Sequence, residues 1–177
     1  MKPVNQTIVT KSKGDCIRAC VASMFELDII QVPHFLLFKS NWFSMYYSFI
    51  WSMGYDLSYI IYNPKDKSKR ISRKNLINGC IMASVLSKTH EDTTHLVLLN
   101  SVGRVIHDPN PNKRWEGRNV VKTGDIRAWY SLRKCEHDKR DYRDALVSIV
   151  EEINSDKCSV KVIENYAKYA LHGKLGK

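Results

Sequence analysis

Apolar positions along this chain follow a helical rhythm first, then a strand rhythm, then a helical one again. Residues 1–13 are polar and extended, anchored by Val4, Ile8 and Val9. Gly14-Asp15 breaks that run, and Asp15 is a good N-cap residue. Beyond it Cys16, Cys20 and Met24 recur at i, i+4 and i+8, beside a second stripe of Ile17, Val21 and Phe25. This spacing predicts a helix from Cys16 to about Leu27. Two adjacent apolar stripes cover much of its circumference, which makes it the buried central helix of the domain. Residues 28–35 form a short second element, with a turn at Val32-Pro33. Residues 36–53 carry Phe38, Trp42, Phe43, Tyr46, Tyr47, Phe49, Ile50 and Trp51, predicting a helix followed by Gly54 at its C-terminal end. That aromatic density serves a core or a groove wall.

The texture then changes. Residues 55–62 alternate loosely and are β-branched or aromatic, which predicts a strand. Residues 72–78 read as a short helix capped by Ser72. Residues 79–85, 95–100 and 105–108 are three apolar runs of strand length, and Ser101-Val102-Gly103-Arg104 between the last two is a tight turn. Residues 88–94 form a polar loop leading into His95. Pro109-Asn110-Pro111 cannot continue a sheet. Residues 126–133 predict one further strand. From Asp141 onward the period returns to helical, with Ala145, Leu146, Ile149, Val150 and Ile153 on one face, then Val160, Ile163, Tyr166, Ala170 and Leu171 on another. The pattern as a whole is that of an α+β protein. A core over residues 1–135 carries a helix packed on an antiparallel sheet, and residues 136–177 add a C-terminal helical extension.

Composition agrees with a folded domain. The chain has 177 residues, 44% apolar and 26% charged, enough for a core without disulfide or metal support. No apolar run approaches the roughly 18 residues of a membrane span, and the N-terminus lacks the apolar segment of a secretory signal. Five cysteines with irregular spacing and no CxxC pair argue against a structural zinc site. Free thiols in a cytoplasmic protein are expected. Net charge is +10, and much of it lies in Lys65, Lys67, Lys69, Arg70, Arg73 and Lys74, opposed by Asp66. That stretch is a solvated loop or a contact for an acidic partner or nucleic acid.

Candidate chemistry lies in the order of four residues. A thiol must lose its proton to act as a nucleophile, and a helix N-terminus and a neighbouring imidazolium both favour that loss. Cys16 begins the first helix. His95 opens an apolar strand that must pack near it. Asp108 ends the partner strand of the same hairpin. In an antiparallel pair the start of one strand lies beside the end of the next, so His95 and Asp108 meet at one end of the sheet. A carboxylate there orients the imidazole. Gln6 is the candidate oxyanion donor, its side-chain amide acting with the backbone N–H of Cys16. Rivals stand beside each. His107 competes with Asp108, since neighbours on a strand point to opposite faces. Asp108 also suits a turn cap before Pro109. Asn5 adjoins Gln6. Cys20, one turn after Cys16, is a packing residue or a resolving thiol.

Two blocks carry a resemblance. Gln6, followed by Gly14-Asp15-Cys16-Ile17-Arg18-Ala19-Cys20-Val21-Ala22-Ser23 and Val32-Pro33-His34-Phe35, resembles small papain-like proteins akin to bacteriocin-leader peptidases, found in bacteria and bacteriophages. His95-Leu96-Val97, a turn, then Val105-Ile106-His107-Asp108-Pro109-Asn110-Pro111 resembles the histidine and acid end of the same group. The likeness spans roughly residues 4–115. It implies a papain-like α+β fold with Cys16 as nucleophile, His95 as base, Asp108 as orienting acid and Gln6 at the oxyanion. It implies hydrolysis of a peptide or isopeptide bond, with no metal or organic cofactor. The same fold kept as an idle binding module for a host protein, small ligand or nucleic acid is the alternative, as is acyl transfer on the same triad. The substrate would be a peptide or protein.

Overall fold

The computed structural model describes residues 1–11, 13–63, 65, 76–88, 90 and 93–135. The chain divides into two compact units. The first is built from Met1–Leu37 and Leu57–Arg133, and the described part of the second is Phe38–Asp56 with Lys134 and Cys135. The helical pattern expected beyond residue 135, most of the Lys65–Lys74 run and Cys158 lie outside the described residues.

The architecture is α+β. Helix α1 (Cys16–Phe25) begins at the expected cysteine and ends two residues early, because Glu26 turns left-handed at φ 59°. Ala19, Cys20, Val21, Ala22 and Met24 are buried, as a helix apolar on two stripes requires. Residues 36–53 do not form one helix. A 3-10 segment (Phe35–Asn41) is interrupted at Lys39, where φ is 49°, and helix α2 (Trp42–Ser52) starts only afterwards. Gly54 follows α2 at φ 86° and donates its N–H to the Trp51 carbonyl, as a helix-terminating glycine does. In this second unit Tyr47 and Trp51 stack, and the Tyr47 hydroxyl donates to Asp56.

Five strands make one antiparallel sheet: β1 (Tyr55–Ile61), β2 (Ile81–Leu86), β3 (Thr94–Leu99), β4 (Val105–His107) and β5 (Ile126–Lys134), in the order β1-β5-β2-β3-β4. Strands β2 and β3 pair over six positions from Ile81↔Leu99 to Leu86↔Thr94. Both are buried along nearly their whole length. This is why they read as continuous apolar runs rather than as alternation. Ile81, Ala83, Val85, Val97, Leu99, Val105, Ile126 and Trp129 pack with Trp115 and Val120 into one core cluster. Helix α1 packs against β3, and the Cys20 thiol donates to the Leu96 carbonyl.

Two local structures depart from expectation. The described end of the segment read as a helix capped by Ser72 is a hairpin instead. Ile77 and Cys80 exchange both backbone hydrogen bonds around Asn78 (φ 48°) and Gly79 (φ 77°). Asn-Gly with both φ values positive is the favoured two-residue hairpin turn, and it overrides the helical spacing. A one-turn helix α3 (Val120–Thr123), capped by the Asn119 side chain, precedes β5. No single helix among the described residues is long and apolar enough to cross a membrane.

Candidate active site

The first unit gathers Cys16, His95, Asp108 and Gln6 around one open cleft of about 90 Å³. Every residue lining it belongs to that unit. Cys16 is the first residue of α1 and is half-buried. His95 stands second in β3, its side chain 12% exposed. Asp108 follows the last residue of β4 and is fully buried.

His95 is held by the acid. Its Nε2 lies 2.7 Å from Asp108 Oδ1, and it shares the cleft with Cys16, which is close enough to act on the charge of the ring. With Nε2 committed to the carboxylate, Nδ1 is the ring nitrogen left for sulfur. Burial alone would push the imidazolium pKa down. The hydrogen bond to Asp108 and the nearness of Cys16, with the charges of both, overcome it and raise His95 from 6.5 to about 9. Burial likewise opposes ionisation of Asp108. The hydrogen bond from His95, backbone N–H bonds from Trp115 and Asn110, and the imidazolium charge outweigh it and hold this carboxyl below the usual carboxylate range.

Asp108 does more than orient the ring. Its Oδ1 also accepts the Asn110 N–H at 2.9 Å, its Oδ2 accepts the Trp115 N–H at 2.9 Å, and its own N–H donates to Glu116. It therefore caps the turn at Pro109 and meets His95 at once. The rival His107 turns away. It is buried and its Nε2–H donates to the Val4 carbonyl at 2.9 Å.

A β-bulge decides between these neighbours. Near the turn Leu99 pairs with Val105, whereas Leu98 pairs with His107, so Ile106 is an extra residue. Regular pairing from the turn would have set His107 opposite Val97, with its side chain on the His95 face. The bulge shifts the register by one and brings Asp108 to that face instead.

Gln6 is buried and lines the cleft. Its backbone N–H donates to the Pro109 carbonyl at 2.9 Å. Its side-chain Nε2 donates to the Ile8 carbonyl at 3.0 Å, leaving the second N–H free, and its Oε1 has no partner. The adjacent Asn5 is exposed. Cys20 is sealed in the core, and burial pushes its thiol pKa well up. That is the environment of a packing residue, not of a resolving thiol.

Asp15 does not play the expected cap role. It stands at the N-cap position without a side-chain cap bond. Its carboxylate accepts instead from the Thr7 N–H, the Thr7 hydroxyl and the Ile8 N–H, at 2.9, 2.8 and 2.9 Å. The close loop that allows this passes Gly14, where a Cβ would stand 2.8 Å from the Thr10 carbonyl oxygen. Sequence reading missed this contact. No local signal marks it, because only the fold brings the Thr7 and Ile8 amides to the Asp15 carboxylate.

Among the described residues, no group of three or more His, Cys, Asp and Glu side chains is gathered closely enough to hold a metal ion. Of the basic run, Lys65 alone is described, its N–H bonded to the Asn63 side chain. No family model matches the chain, and no match was found among curated proteins or among solved structures.

Proposed function

We propose that this protein is a papain-like thiol hydrolase that cleaves a peptide or isopeptide bond through Cys16, His95 and Asp108. One observation carries the reading: a single imidazole is bonded to a buried carboxylate and shares one open cleft with a half-buried thiol. Chemically this pairs a nucleophile with a base, and the base with a group that fixes its tautomer.

The steps follow from that order. His95 takes the proton of Cys16, and the sulfur attacks the substrate carbonyl carbon. The carbonyl oxygen becomes negative in the tetrahedral intermediate. The free N–H of Gln6 and the backbone N–H of Cys16 stabilise it. His95 returns the proton to the leaving amine as the C–N bond breaks. Water, deprotonated by His95, then attacks the thioester and frees the acid product and the thiol. Asp108 stays ionised throughout and stabilises the imidazolium.

The test has two parts. Iodoacetamide at about pH 6 is expected to alkylate Cys16 ahead of the other thiols, because Cys16 lines the open cleft beside the His95 ring whereas Cys20 and Cys80 are buried. Incubation with a peptide library, read by mass spectrometry, is expected to give cleaved products that disappear in Cys16→Ala. Uniform slow alkylation together with no cleavage would remove the hydrolase reading.

A further inference from the structure

We infer that Asp15 is a positioning residue for the oxyanion site: its carboxylate clamps residues 7–8 and thereby sets the Gln6 amide beside Cys16. This rests on the hydrolase reading given above and assigns a role to a residue outside the triad.

Asp15 immediately precedes the nucleophile and is 1% exposed. A buried carboxylate is stabilised only by strong donors or a cation. Among the described residues this one meets two backbone N–H groups and one hydroxyl, all from Thr7 and Ile8. Its own N–H donates back to the Ile8 carbonyl at 3.2 Å. That carbonyl also accepts the Gln6 side-chain amide at 3.0 Å. Gln6 Nε2 is therefore joined to the residue before Cys16 through a single shared oxygen. On its other side, the Gln6 backbone N–H is fixed to Pro109, the residue after the triad acid. The ring of contacts runs from Asp15 through Ile8, Gln6 and Pro109 to Asp108, then through His95 to Cys16. Apart from the Gln6 amide itself, no other described side chain hydrogen-bonds residues 7–8. Without the carboxylate both amides lose their acceptor, and the segment carrying Gln6 is left with the Asp15 N–H to Ile8 and Gln6 N–H to Pro109 bonds alone to place it. A displacement near 1 Å at such a site lowers rate by about a hundredfold.

The experiment separates two reactions of one thiol. Iodoacetamide alkylation forms an S–C bond as iodide leaves and develops no oxyanion. Acylation by p-nitrophenyl acetate forms a thioester as nitrophenolate leaves, passing through an oxyanion on the acetyl carbonyl. Asp15→Ala is expected to slow acylation by about ten- to a hundredfold while alkylation changes by less than about threefold. Asp15→Asn keeps one oxygen for the two amides, and the Thr7 hydroxyl can rotate to accept from its NH₂. It should retain most of the acylation rate, and it remains informative if the alanine variant fails to fold. In a Gln6→Ala background, Asp15→Ala should add little further loss, because its effect passes through Gln6. Equal slowing of both reactions, unaltered acylation in Asp15→Ala, or full additivity with Gln6→Ala would overturn the inference. If Cys16 of the unaltered protein undergoes neither reaction, the hydrolase reading itself fails. Prompt acylation with no Asp15 effect removes only the role given to Asp15.

Discussion

His95 Nε2 and Asp108 Oδ1 stand 2.7 Å apart across a hairpin, 13 residues distant in the chain. The carboxylate is fully buried and the imidazole nearly so, so water screens their attraction little. A His so placed remains an imidazolium far above its ordinary range.

The first prediction concerns that proton. By proton NMR, the His95 ring is expected to titrate near 9. Cys16→Ser and Asp108→Asn should each lower the value, since each removes a group that raises it. A ring that titrates at its ordinary 6.5 in the unaltered protein would contradict the paired arrangement.

Stability should follow pH with a definite sign. The folded pKa of His95 lies above its unfolded value, so its contribution is complete below about 6.5 and fades as pH rises toward 9. Asp108 is shifted the other way. Its contribution is complete above the usual carboxyl pKa of 3.8 and fades as pH falls through its lower folded value. Urea denaturation across pH is therefore expected to show the pair's full effect between about 4 and 6.5. Stability should decline on the alkaline side of that window, and Asp108→Asn should flatten the decline.

Removing the carboxylate altogether should be severe. Asp108→Ala leaves the imidazolium and the amides of Asn110 and Trp115 without their acceptor. The expected loss is about 3–5 kcal/mol, the range for breaking one side of a buried ion pair. Chemical denaturation measures it. A loss under about 1 kcal/mol would mean the pair is solvated in solution.

Much of this site was legible before any fold was known, and the reasons are physical. Helix α1 declared itself because a buried helix needs two apolar stripes, and Cys16 through Phe25 supply them. Hairpin logic put His95 and Asp108 at one end of the sheet, though not on one face of it. Other features depend on competition that a sequence does not reveal. Asp15 reads as a helix cap, yet the amides of Thr7 and Ile8 take its carboxylate. Lys39 carries no helix-breaking chemistry, yet its backbone divides the aromatic segment. Asn78-Gly79 did carry a hairpin signal, obscured by the helical spacing before it. The bulge at Ile106 is the deepest case. One extra residue decides which of two adjacent polar side chains shares a sheet face with His95, and nothing in the local pattern marks it.

Gly14 gives a prediction at the loop that precedes the thiol. A methyl group there would meet the Thr10 carbonyl oxygen at 2.8 Å, and that oxygen is backbone. The chain itself must shift to admit it. Gly14→Ala is expected to lose about 1–3 kcal/mol in urea denaturation. Since Gly14 and Thr10 both line the cleft, it should also slow acylation of Cys16. An unchanged midpoint would show that the loop accommodates the methyl group freely.

The two histidines of the hairpin should behave oppositely. His95→Ala removes the proposed base, and acylation of Cys16 by p-nitrophenyl acetate is expected to fall by about a hundredfold or more; stability falls as well, because the buried Asp108 loses its counter-charge. His107 donates to the Val4 carbonyl from a fully buried position. Its loss leaves that carbonyl only the longer contact from the Ser23 hydroxyl, at 3.3 Å, and opens space. His107→Ala should therefore lower stability by about 1–3 kcal/mol while the folded protein still acylates Cys16 at a comparable rate. The same carbonyl segment is tied to α1, since the Val4 N–H donates to Ser23 at 2.8 Å, so the damage should reach the N-terminal arm before the triad. Measuring both variants at a temperature where each is folded separates the roles. If His107→Ala abolished acylation and His95→Ala did not, the register set by the bulge would have to be the one that regular pairing from the turn produces.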